Sequence, residues 1–153
     1  MINKPFRWAL LFLLVVLLCW FLWLSLRPVK IIAVHNGSSG FTDVLVDHFP
    51  LTTKGKINWW LENRDMLKSR YGIPEISSYG SYTITFWYFG DGYMEEEKYD
   101  RLCFSDMKTE KNCIEKDKAF TVSDGGNSGL YFTVSDGYYH IKDTGEIVKR
   151  PSH

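Results

Sequence analysis

The chain has 153 residues with 18 basic and 18 acidic side chains, room for one domain plus an anchor. All the acids lie at Asp43 or later, and from Lys30 onward 15 basic residues face 18 acidic ones, a net of about −3. That balance lacks the clustered Lys/Arg of a nucleic-acid-binding face, so no nucleic acid is expected as a partner. Aromatic residues make up 16% of the chain, enough for a real core and unlike a disordered segment.

Residues 1–7 read as a short tail carrying Lys4 and Arg7. Trp8 to Leu26, WALLFLLVVLLCWFLWLSL, has no charge over 19 residues. As a helix it spans roughly 28 Å, which matches a bilayer's hydrocarbon thickness. Trp8 stands at one edge and Trp20 and Trp23 toward the other, and Arg27, Pro28 and Lys30 close the segment. Interfacial aromatics and a stop at Pro fit a membrane-spanning helix. A cleaved signal peptide would need small residues at an A-x-A-like site, where this chain reads Trp-Leu-Ser-Leu-Arg-Pro. A lipoprotein would need a small residue before its acylated Cys, and Leu18 precedes Cys19. A buried core helix of this length is rarely apolar on every face. Basic residues flank both ends, and the short basic tail favours a cytoplasmic N-terminus with residues 29–153 exported. The expected location is therefore the inner membrane, single-pass, with a periplasmic C-terminal domain and the lipid bilayer as a partner of the helix.

The exported part reads as α+β: a small, mainly antiparallel β domain with one packed amphipathic helix. Val29 to Val34 predicts a strand, His35 to Gly40 a loop, and Val44, Leu45, Val46 and Phe49 a second strand stopped at Pro50. Lys56 to Tyr71 predicts the helix, with Ile57, Trp60, Leu61, Leu67 and Tyr71 on one face. Thr52 or Thr53 is placed to cap it, and Gly72 and Pro74 to end it. Further strands are predicted at 82–89, 93–104, 113–122, 130–134, 138–142 and 146–149, with Asp-Gly at 91–92, 124–125 and 136–137 as hairpin signals. The expected connection is an antiparallel meander. Phe-Thr-Val-Ser-Asp-Gly occurs at 120–125 and again at 132–137, which reads as two strands ending in one turn chemistry or as a duplicated hairpin.

Cys103 and Cys113 lie in RLCFSDMKTEKNCIEKD, with a polar, turn-like segment between them. A hairpin would bring the sulfurs together, and in an oxidising compartment their disulfide would add about 2–3 kcal/mol; the alternative is two unrelated thiols. Zinc-finger spacing and C-x-x-C are absent, and no cofactor or metal site is expected. Asp124 to Gly129 is oxygen-rich but lacks the EF-hand pattern.

With these segments read, the chain resembles a family of enterobacterial membrane proteins, domain of unknown function 943. The resemblance rests on the span followed by VKIIAVH, on DHFPLTTKGKINWWLENRDMLKSRYGIP, and on RLCFSDMKTEKNCIEKD. It implies a location and an architecture and carries over no catalytic residues.

No G-x-S-x-G elbow, Walker loop or H-E-x-x-H helix occurs, so the chain is not expected to be an enzyme; Asp43, Asp47 and His48 are the residues an enzyme reading would use. Two surfaces are candidate partner contacts. Trp59 sits about 100° from Trp60 on the helix, at the rim of the core or as an exposed anchor. Glu95, Glu96 and Glu97 form an acidic run, either a solvated strand edge or a patch for a basic partner. The expected function is a protein-binding module, in its sharpest form an immunity protein against a periplasm-acting toxin. The alternative is a structural subunit of an envelope membrane complex, against which the helix lacks a small-xxx-small motif.

Overall fold

The computed structural model describes residues 3–97 and 100–151. The chain is α+β: an apolar N-terminal helix, then a mainly antiparallel β domain with a second helix. Helix α1 runs Lys4–Leu26, starting ahead of the apolar run because Pro5 is suited to a first helical turn. None of its apolar window is buried against the domain, and among the described helices it alone is long and apolar enough to cross a membrane. A core-helix reading of this segment is thereby excluded.

Strand β1 (Lys30–Asn36) leaves α1 after three residues and pairs antiparallel with β2 (Phe41–Asp47), Lys30 opposite Asp47. β1 extends past the expected Val34 and takes in His35 and Asn36, which therefore belong to a ladder and not to a loop. Helix α2 spans Thr53–Tyr71 and starts earlier than Lys56. Thr52 is its cap, its hydroxyl accepting from the Gly55 amide at 3.0 Å. A side chain at position 55 would meet that hydroxyl at 2.8 Å and the Pro50 ring at 3.1 Å, so Gly suits the tight entry. Gly72, at φ 67°, ends the helix in the left-handed region. Ile57, Trp60 and Leu67 are buried on the inner face, while Tyr71, expected there, is exposed at the last residue of the helix.

The expected meander is corrected by the connection through α2. β3 (Tyr82–Tyr88) lies parallel to β2, since a strand followed by a helix of this length returns as a crossover. β3 then pairs with β7 (Lys118–Asp124), followed by β8 (Leu130–Val134), β9 (Gly137–Ile141) and β10 (Ile147–Lys149), in the order β1-β2-β3-β7-β8-β9-β10. The intervening segment makes a second sheet, β4-β6-β5, from Met94–Glu95, Lys111–Ile114 and Leu102–Cys103. The single strand expected over 93–104 is thus two short ones, and Lys98 and Tyr99 within it fall outside the described residues. The strand expected over 113–122 breaks at Glu115–Asp117, where the chain passes from the small sheet to the large one.

Both faces of the large sheet are covered near β2. One side packs Val44, Val46, Ile84, Phe86, Phe120, Val122 and Phe132 against α2. The other packs Leu45 against Phe104 and Ile114 of the small sheet. Val44, Leu45 and Val46 are consecutive and fully buried, as a strand covered on both faces requires. The repeated Phe-Thr-Val-Ser-Asp-Gly lies on neighbouring strands, Thr121 opposite Thr133. Its two copies end differently: Val134 pairs with Gly137 across two residues, whereas Asp124 pairs with Leu130 across five.

Candidate functional site

The small sheet is held to the large one by a polar cluster around His35. A register shift between Ile31 and Ala33 turns Ala33 toward the side where Leu45 meets the small sheet, and His35 follows it two residues on. His35 is 7% exposed and stacks on Phe104 with ring centroids 3.9 Å apart. Its Nδ1 lies 2.8 Å from an Asp106 carboxylate oxygen, and its Nε2 lies 2.9 Å from the Tyr93 hydroxyl. Both ring nitrogens are engaged, by residues 58 and 71 positions away. Burial and the Asp106 charge push the Tyr93 hydroxyl up from its ordinary value. Beside His35 in the ladder, Asp43 accepts from the Trp87 indole at 2.8 Å. Burial raises the Asp43 carboxyl, opposed by that hydrogen bond and by His35 and Lys118. The arrangement ties together β1, β2, the approach to β4 and the β5–β6 hairpin.

Asp43, Asp47 and His48 have separate partners. Asp43 is engaged by Trp87, Asp47 stands opposite Lys30, and His48 Nε2 accepts from the Arg27 guanidinium at 2.9 Å. The His35 cluster escapes a sequence reading because no local spacing links residues 35, 93 and 106. Among the described residues no group of three or more His, Cys, Asp or Glu could hold a metal ion. The Asp124 carboxylate accepts from the Gly126 amide within its own loop at 2.9 Å.

Cys103 and Cys113 are disulfide-bonded and directly opposite in the β5–β6 ladder. Phe104 and Asn112 continue the hairpin, the Phe104 amide donating to the Asn112 carbonyl at 2.9 Å. Glu95, Glu96 and Glu97 are exposed beside it. Arg101 organises part of this run, donating to the Glu95 carbonyl at 2.7 Å and to Glu115 at 3.2 Å, with Glu97 at 3.6 Å. Trp59 is half-buried, its ring 5.2 Å from Phe49 and 5.8 Å from Phe86, so the structure places it at the rim of the core.

At the end of the large sheet farthest from α1, the loops before β2, before β3 and after β7 lie side by side. The Gly40 carbonyl accepts from the Thr83 amide at 2.8 Å, and a side chain at Gly40 would meet the Ser81 carbonyl at 2.8 Å. A side chain added at Gly126 would stand 4.0 Å from the Tyr79 carbonyl. Phe41, at the start of β2, and Ile76 and Tyr79, on the segment between α2 and β3, are 59%, 58% and 91% exposed at this end. A cleft of about 90 Å³ between Trp60, Arg64, Leu67, Ile73, Pro74 and Tyr82 is small against the usual ligand pocket of about 300–1,000 Å³.

A family model described as "Enterobacterial putative membrane protein (DUF943)" matches residues 2–151. The chain belongs to this family. No match was found among curated proteins or solved structures. Membership in DUF943 accords with the apolar α1.

Proposed function

We propose that this DUF943 chain is a membrane-tethered protein-binding module, with α1 in the inner membrane, the N-terminus cytoplasmic and the β domain periplasmic. Its sharpest form is an immunity protein that neutralises a periplasm-acting toxin. The observation that carries the reading is the exposure of Phe41, at the start of β2, and of Ile76 and Tyr79, on the segment between α2 and β3, at the end of the sheet opposite the anchor. Large apolar side chains on a loop end, held by a rigid scaffold and pointed away from the tether, suit capture of another protein. The Cys103–Cys113 bond supports an oxidising compartment. No catalytic step is assigned, since His35 has both ring nitrogens occupied by side chains that hold the two sheets together.

The test is cross-linked capture of the full-length protein from native membranes, repeated with Tyr79→Ala and Phe41→Ala. A stoichiometric soluble partner lost from both variants, together with poisoning of cells that lack the protein, supports the immunity form. Retention of the partner in both variants moves the contact to Trp59 or to the Glu95–Glu97 run. The envelope-subunit alternative is decided by exchanging α1 for an unrelated span. Function should survive the exchange in a binding module and be lost in a subunit that pairs through its helix.

A further inference from the structure

We infer that the β domain makes a second contact with the bilayer, through Leu51 on the loop between β2 and α2 and Lys54 at the start of α2; this rests on the reading that α1 crosses the membrane. α1 ends at Leu26 and β1 begins at Lys30, so the start of β1 lies within roughly 14 Å of the end of α1. Asp47, opposite Lys30, brings the end of β2 back to the same level. Arg27 fixes that level from both directions. Its guanidinium sits 4.8 Å over the Trp23 ring of α1 and donates to His48 at 2.9 Å. A Trp near the end of a spanning helix marks the headgroup region, which places His48 beside it.

From His48 the loop is held at both sides. Phe49 is buried at 4% exposure, and Thr52 caps α2. Between them Leu51 is 90% exposed, the most exposed aliphatic side chain in the domain among the described residues. None of the described residues covers it, and the loop's anchors leave it little freedom to turn inward. Lys54, the second residue of α2, and Lys30 are exposed at the same end. An apolar tip flanked by lysines matches an interface of acyl-chain ends and anionic headgroups. Of the acids at this end, Asp47 stands opposite Lys30 in the ladder, and Asp117 lies close enough to Lys56 to oppose the fall in its pKa. The contact is therefore local to Leu51 and Lys54. Its consequence is a domain leaning on the membrane by its α2 entrance, with the loop end of Phe41 and Tyr79 turned outward.

The test uses the full chain in nanodiscs of phosphatidylethanolamine and phosphatidylglycerol, with an environment-sensitive fluorophore on Leu51→Cys or Tyr79→Cys in a Cys19→Ala background and nitroxide lipids as quenchers. The label at position 51 should be blue-shifted and quenched several-fold more than the label at position 79, and Lys54→Glu should reduce that quenching. Equal, water-like signals at both positions overturn the inference and leave Leu51 for a protein partner. Quenching indifferent to Lys54→Glu overturns it as well. A label on the native Cys19 separates the two readings. If Cys19 is quenched by nitroxides deep in the bilayer while position 51 is not, only this inference fails. If Cys19 is unquenched, the membrane-spanning reading of α1 fails with it.

Discussion

At Asp43, burial and hydrogen bonding pull in opposite directions, and burial is the larger. A carboxyl raised above its unfolded value is harder to ionise in the native state. At neutral pH the ionised side chain therefore weakens folding, and the penalty disappears as pH falls through the native pKa. Asp43→Asn keeps an acceptor for the Trp87 indole and removes the charge. It should raise stability at neutral pH, with the gain shrinking toward zero as pH drops to the ordinary carboxylate range. Urea titrations at several pH values measure this, and a gain that grows on acidification would refute the sign. His35 behaves differently, since its loss strands two partners and a stacked ring. His35→Ala should cost about 2 kcal/mol and loosen the 93–114 region before the large sheet, as read by hydrogen exchange. The Asp43, Asp47 and His48 grouping is legible only as neighbours in sequence. The length of β2 between Asp43 and Asp47, and the turn after β2, place them beside Trp87, Lys30 and Arg27.

Among the elements, α2 is the most legible in sequence, because its apolar spacing, Thr cap and Gly stop are all local signals. Its start is less so, since Thr53–Gly55 carry no apolar periodicity and are helical only because Thr52 caps them. Trp59 shows the limit of a helical wheel, which leaves rim and surface open until the neighbouring Phe49 and Phe86 are placed. Trp59→Ala should destabilise by about 2–3 kcal/mol in urea unfolding, below a fully buried aromatic. A change near zero would mean that the ring packs on nothing. The β5–β6 hairpin is also local, with its cysteines opposite across a polar turn. Replacing both by Ser should cost about 2–3 kcal/mol, with the extra hydrogen exchange confined to residues 94–114. Equal loosening of β3 and β7 would show that the small sheet folds only as part of the whole.

On the scale of the whole molecule, the tether and the domain set an axis from Arg27 to Tyr79. Protease added to intact spheroplasts should remove the β domain and leave α1 with its short tail, while inverted vesicles should protect the domain. The opposite pattern would reverse the proposed orientation. The axis also separates the two proposed contacts, lipid at Leu51 and a protein partner at the Phe41–Tyr79 loops. Neither is visible as a motif: single exposed apolar residues acquire meaning only from where the fold puts them.

The sequence by itself determined the apolar helix, the α+β class, the amphipathic α2, the cysteine hairpin and the family, because each depends on composition or on residues close along the chain. Tertiary structure alone decided the parallel β2–β3 pairing, the division into two sheets, the His35–Asp106–Tyr93 cluster and the exposure of Leu51. Those depend on which distant segments exclude water together, and periodicity within a segment carries no information about its partner.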